Sequence, residues 1–61
     1  MQLSELKVYA EKLSNAFPQM DDAIRDLYFL AADEVEGGES EAHECELAYS
    51  DMNELTGVNE H

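Results

Sequence analysis

PQMDDAIRDLYFLAADEVEGGES, residues 18–40, reads as one helix with both of its ends marked. Pro18 stops whatever precedes it, because the residue before a proline is pushed out of the α region. Proline itself suits a first helical turn. Asp21 and Asp22 then place negative charge where the dipole of a new helix is positive. Met20, Ala23, Ile24, Leu27, Tyr28, Leu30, Ala31 and Val35 fall on one side at about 100° per residue. Gly37 and Gly38 close the run, as glycine commonly does beyond a helix C-terminus. The segment predicts a helix over approximately residues 19–36.

Upstream, Leu3, Leu6, Ala10, Leu13 and Phe17 follow a 3-4-3-4 spacing that puts all five on one helical stripe. Tyr9 and Ala16 widen it, and Ser4 suits the N-cap, which predicts a helix over 4–17. Downstream, Ser40 suits a second N-cap, with Glu41 and Glu44 in the turn that follows. Ala42, Cys45, Ala48, Tyr49, Met52 and Leu55 share a face, and Thr56-Gly57 reads as the stop of a helix over 40–56. Residues 57–61 read as a frayed tail. No strand-like alternation or repeat appears. The expectation is one all-α domain over 1–61, either a small three-helix bundle or a helical hairpin with a short extra helix.

A chain of 61 residues buries only about 60% of the surface its unfolded form exposes. Chains this small gain stability from disulfides, metal, regular helix packing or oligomerisation. A single cysteine, Cys45, excludes an internal disulfide, so helix packing and a homodimer remain. No apolar run approaches the roughly 18 residues needed to span a bilayer. The first residues lack the basic and apolar regions of a signal peptide, and a lone thiol fits a reducing compartment. A cytoplasmic protein without a membrane partner is expected.

Charge is the most unusual feature, and it is unevenly placed. The net charge is −12. Residues 1–20 balance Glu5 and Glu11 against Lys7 and Lys12, so residues 21–61 hold thirteen acids against Arg25 alone. Such a field disfavours direct contact with nucleic acid and speeds encounter with basic partners. Its other reading is solubility.

Each predicted helix also carries one large apolar residue on its polar side: Val8, Phe29 and Leu47. Phe29 stands among Asp22, Arg25, Asp26, Asp33 and Glu36. An isolated exposed apolar side chain is ordinary, but an aromatic ringed by charge is also how an interface anchor looks. Phe29 is accordingly an interface residue, a core residue of a rotated helix, or idle. The densest acidic stretch, Asp33, Glu34, Glu36, Glu39, Glu41, Glu44 and Glu46, spans the Gly-Gly turn. At the end of the second helix these acids oppose the dipole, and a basic partner would relieve them.

An EF-hand loop laid from Asp33 finds Asp33, Gly38 and Glu44 at its first, sixth and twelfth positions, and Glu41 suits the ninth. Val35 and Gly37 offer no side-chain oxygen at the third and fifth, so no tight calcium site is expected. His43 and Cys45 project about 200° apart on a helix and cannot chelate together, and a structural zinc site needs four convergent ligands. Nucleophilic catalysis needs a base aimed at the nucleophile, and acid–base catalysis needs a pocket that separates two pKa values. Neither pattern is present, nor is a phosphate-binding glycine motif. No enzyme activity and no cofactor is expected.

A tiny helical chain with Asp21, Asp22, Asp26, Asp33, Glu34, Glu36, Glu39, Glu41, Glu44 and Glu46 spread over it resembles small bacteriophage accessory proteins of the early-region type. Some acidic proteins of that kind act as DNA mimics. The resemblance lies in composition and helical character over about residues 20–55. It implies a noncatalytic protein that regulates or inhibits a basic, nucleic-acid-binding host protein. The residues expected to meet that partner are Asp22, Asp26, Phe29, Asp33, Glu34, Glu36, Glu39, Glu41 and Glu44. The alternative is a self-associating helical protein whose acidity serves solubility.

Overall fold

The structure, a computed structural model, describes residues 1–58. Three helices make up the fold: α1 (Leu3–Ala16), α2 (Asp21–Glu36) and α3 (Glu41–Thr56). A single 3₁₀ turn, Pro18–Met20, joins the first two. Among the described residues there is no strand. All three helices exceed three turns, so the architecture is a three-helix bundle and not a hairpin with a short appendage. Helices α1 and α3 start at the same end, where the Leu3 backbone N–H donates to Glu41 Oε2 at 2.7 Å. The topology is therefore up–down–up, with α2 in contact with both neighbours.

Local chemistry sets the ends. Helix α1 starts two residues earlier than a cap at Ser4 would place it. Its N-cap is Gln2, whose backbone N–H donates to Glu5 Oε1 at 2.8 Å, closing a capping box. It also ends one residue early, because Pro18 forces Phe17 out of the helical region (φ −129°, ψ 68°). The proline turn delays α2 to Asp21; Met20 N–H bonds to Phe17 O at 2.9 Å. Beyond Glu36 the backbone N–H groups of Gly37, Gly38 and Glu39 take up the carbonyls of Asp33, Val35 and Glu34. Gly38 has φ +107°, a conformation that favours glycine. Ser40 caps α3 by accepting from His43 N–H at 3.3 Å, and Gly57 ends it in the left-handed region at φ +76°. Of the tail expected over 57–61, residues 59–61 lie outside the described residues.

The core is small. Leu6, Leu13, Ile24 and Met52 supply its bulk, and Ala10, Ala31, Cys45 and Ala48 let the helices approach closely. Leu3, Tyr9, Phe17, Met20, Leu27, Tyr28 and Tyr49 form a half-buried rim. Tyr9 is fixed twice: its hydroxyl donates to Oδ1 of the buried Asn53, and its ring lies 4.6 Å from Tyr49 at a 40° tilt. With extents of 31 × 25 × 15 Å the bundle is flat.

The apolar stripes read from sequence are wider than the surface actually covered. Leu30 is 61% exposed and Leu55 39% exposed, and Ala16, Ala23 and Ala42 are exposed as well. Leu30 projects roughly 120° from the fully buried Ile24. Each helix of a thin three-helix bundle meets its neighbours over an arc narrower than that, so the shoulders of the stripe reach solvent.

Candidate functional site

Two grooves flank α2, one against each neighbouring helix. Toward α1 the groove is lined by Lys7, Ala10, Glu11, Arg25, Tyr28 and Phe29, with a volume of ≈ 370 Å³. Phe29 is 57% exposed and meets Tyr28 edge-on at 5.5 Å between ring centroids. Two of the chain's three cations stand around it. Arg25 Nε bonds Asp21 Oδ1 at 2.7 Å, one helical turn back. That contact holds the Asp21 carboxyl below its ordinary range. The second cause is the Ser14 hydroxyl, which stands near the carboxylate without closing a hydrogen bond of normal geometry.

Toward α3 the groove is of the opposite kind. Its first part, ≈ 460 Å³, runs between Ala23, Asp26 and Leu27 of α2 and Asp51, Glu54 and Leu55 of α3. Leu27 and Asp51 carry it on into a second part, ≈ 140 Å³, reaching Leu30, Ala31 and Glu34 on one side and Glu44, Leu47 and Ala48 on the other. Antiparallel packing aligns the early turns of α2 with the late turns of α3, so the two parts form one trough. Its floor and walls are leucine and alanine. Every charged residue along it is an acid: Asp26, Glu34, Glu44, Asp51 and Glu54.

The residues expected to meet a partner therefore do not form one face. Asp26, Glu34 and Glu44 line the α3-side trough. Phe29 lies in the α1-side groove. Asp22, Asp33 and Glu36 are exposed on the outer side of α2, and Glu39 is exposed on the turn. Glu41 is engaged at the start of α1 through Leu3 N–H. Leu30, Leu55, Asp51 and Glu54 were not singled out as binding residues from the sequence, although each is a groove residue. The available signal was angular: Leu30 and Ala23 sit on the α3-facing shoulder of the stripe, one turn from Leu27 and Asp26.

Cys45 is fully buried. Burial raises its thiol above the ordinary value, with nearby Glu41 adding to the effect. Buried, protonated thiols are inert, and His43 is exposed on another side of α3. Among the described residues, no three His, Cys, Asp or Glu side chains converge as a metal set. No described helix is long and apolar enough to cross a membrane. No family model, curated protein or solved structure matches the chain.

Proposed function

We propose that this chain is a noncatalytic interaction module whose α2–α3 half engages a basic protein, of the kind that binds nucleic acid. Carboxylates take the place of phosphates against the partner's Lys and Arg side chains. The observation that carries this reading is the acid-only trough, set in a half-molecule with thirteen acids and one base. An acidic surface kept only for solubility has no need of apolar side chains between its charges. Here Leu30 and Leu47 stand exposed among them. The likeness to small acidic phage accessory proteins points the same way, toward inhibition of a host protein by occupation of its nucleic-acid site. An unpaired buried thiol suits the cytoplasm in which such a target resides.

A homodimer is the second reading, favoured by how much apolar surface is exposed beside so small a core: Val8, Phe29, Leu30 and Leu47 are all about half exposed or more. The test is capture from a bacterial lysate on immobilised protein, with elution by salt and identification by mass spectrometry. A basic nucleic-acid-binding protein is expected, released at moderate salt because screening acts within about 8 Å at physiological ionic strength. Duplex DNA is expected to displace the same protein. Capture that resists both salt and DNA would overturn the mimic reading. A stable helical dimer that recovers nothing but itself would favour the second.

A further inference from the structure

The α2–α3 trough has a shape as well as a charge, and the two together specify an occupant. Its span on α2, from Ala23 to Glu34, is three helical turns, about 16 Å at the rise of an α-helix. Leu27 and Ala31 lie toward its floor, while Leu30, Leu47 and Leu55 stand exposed along its walls. Acids rim it on both sides: Asp26 and Glu34 on α2, Glu44, Asp51 and Glu54 on α3.

We propose that this trough docks a single cationic amphipathic helix of the partner protein. The apolar stripe of that helix lies along Leu27, Leu30, Leu47 and Leu55, and Lys or Arg on its two flanks meet the acidic rims. This rests on the basic-partner reading and names the element of the partner that is recognised.

Three arguments select a helix with positive flanks. An extended peptide gains affinity by adding main-chain hydrogen bonds to a sheet edge, and the trough walls are helices whose backbone groups are already paired. A helix satisfies its own backbone and presents anchors at i, i+3, i+4 and i+7, about two turns that fit within the length of a three-turn trough. A merely basic segment would leave Leu30 and Leu47 in water, whereas an apolar stripe covers them. A second copy of this chain fits the shape but not the charge, because two-fold apposition of the trough brings its carboxylates against their own equivalents with no cation on either rim.

The probe is a designed leucine–lysine peptide of about fourteen residues with apolar stripe and lysine flanks, labelled and followed by fluorescence anisotropy. A scrambled peptide of identical composition and a glutamate-for-lysine version accompany it. The amphipathic peptide is expected to bind, to gain helical circular dichroism, and to shift backbone amides of residues 26–34 and 44–55. Scrambling is expected to weaken it by about tenfold or more, and the glutamate version is expected not to bind. Leu30→Gln and Leu47→Gln are expected to weaken it by a similar factor with helix content intact, whereas Phe29→Gln leaves it unchanged.

Equal binding of the ordered and scrambled peptides would overturn the docked helix while leaving an acidic, charge-driven module standing. Failure of every cationic peptide to bind would overturn both. Sedimentation of the protein alone supplies a separate check. A dimer that Leu30→Gln converts to monomer would make a second copy the occupant and overturn the proposal.

Discussion

Phe29 and Leu30 are adjacent in the chain, equally apolar and equally exposed, yet they belong to different surfaces. Phe29 faces the α1 side, where Lys7 and Arg25 offset Glu11 and the groove is close to neutral. Leu30 faces the α3 side, where the trough carries five acids and no base. One step of about 100° around α2 thus separates an ordinary surface aromatic from an apolar wall in a strongly negative field. Exposure alone does not distinguish the two. What distinguishes them is which neighbouring helix supplies the other wall, and α3 carries no lysine or arginine.

The largest effect available should come from the core. Ile24 has no exposed surface and is one of the four large side chains that supply the bulk of the core. Ile24→Ala is expected to destabilise by about 2–5 kcal/mol, a large share of what so small a domain possesses. Leu30→Gln and Phe29→Gln should each cost less than about 1 kcal/mol, since each side chain is already more than half exposed. Urea unfolding followed by circular dichroism measures all three. If Leu30→Gln cost as much as Ile24→Ala, Leu30 would be covered in solution, and the contrast between buried centre and open trough would collapse.

A second, smaller pair separates the trough from the outer face of α2 without touching the core. Helix α2 ends in Asp33, Glu34 and Glu36 with no basic residue in its last turn, an arrangement the dipole disfavours. Glu34→Lys and Glu36→Lys should therefore each stabilise folding, by about 0.3–1 kcal/mol at low salt. Their effects on a cationic ligand should differ. Glu34 lines the trough and Glu36 does not, so Glu34→Lys is expected to slow association more than Glu36→Lys, a difference that shrinks as salt is raised. Identical losses would mean that the partner senses net charge and not the trough.

Much of this architecture was legible in the sequence. Pro18, Gly37-Gly38, Ser40 and Gly57 punctuate the chain for steric and hydrogen-bonding reasons that hold locally, and the helices begin and end within two residues of where those signals place them. The inner half of each stripe was legible too: Leu6, Leu13, Ile24 and Met52 are buried as their spacing implies. The outer half was not. Whether Leu30 and Leu55 join the core depends on the width of the contact between helices, which is a property of the assembled bundle. The pairing of Asp26 with Glu54 across one trough depends likewise on α2 and α3 running antiparallel in one register. The sequence could show that Phe29 has charged neighbours on its own helix. It could not show that Lys7 of α1 comes to line the same groove.

The smallest effect probes the near-neutral side. Asp21 is half-buried, and its bond to Arg25 lies at the surface, so the bond contributes little to stability, but it leaves a mark that titration can read. The sign follows from the direction of the shift. Because the folded carboxyl lies below its unfolded value, whatever stability it supplies is present above the unfolded pKa and is lost as pH falls through the lowered folded one. Carbon-detected NMR titration should find Asp21 ionising at lower pH than an unperturbed aspartate. Arg25→Gln should move it back toward its ordinary value, because Arg25 is the leading cause, and Ser14→Ala should move it back by less. The Ser14 hydroxyl is buried without a closed hydrogen bond, so Ser14→Ala should be neutral or slightly stabilising, as expected when an unsatisfied polar group is removed. A marked loss of stability on Ser14→Ala would instead show a firm Ser14–Asp21 bond tying α1 to α2. The contact between α1 and the start of α2 would then be a reinforced seam, in contrast to the α3-side trough, which no such bond crosses among the described residues.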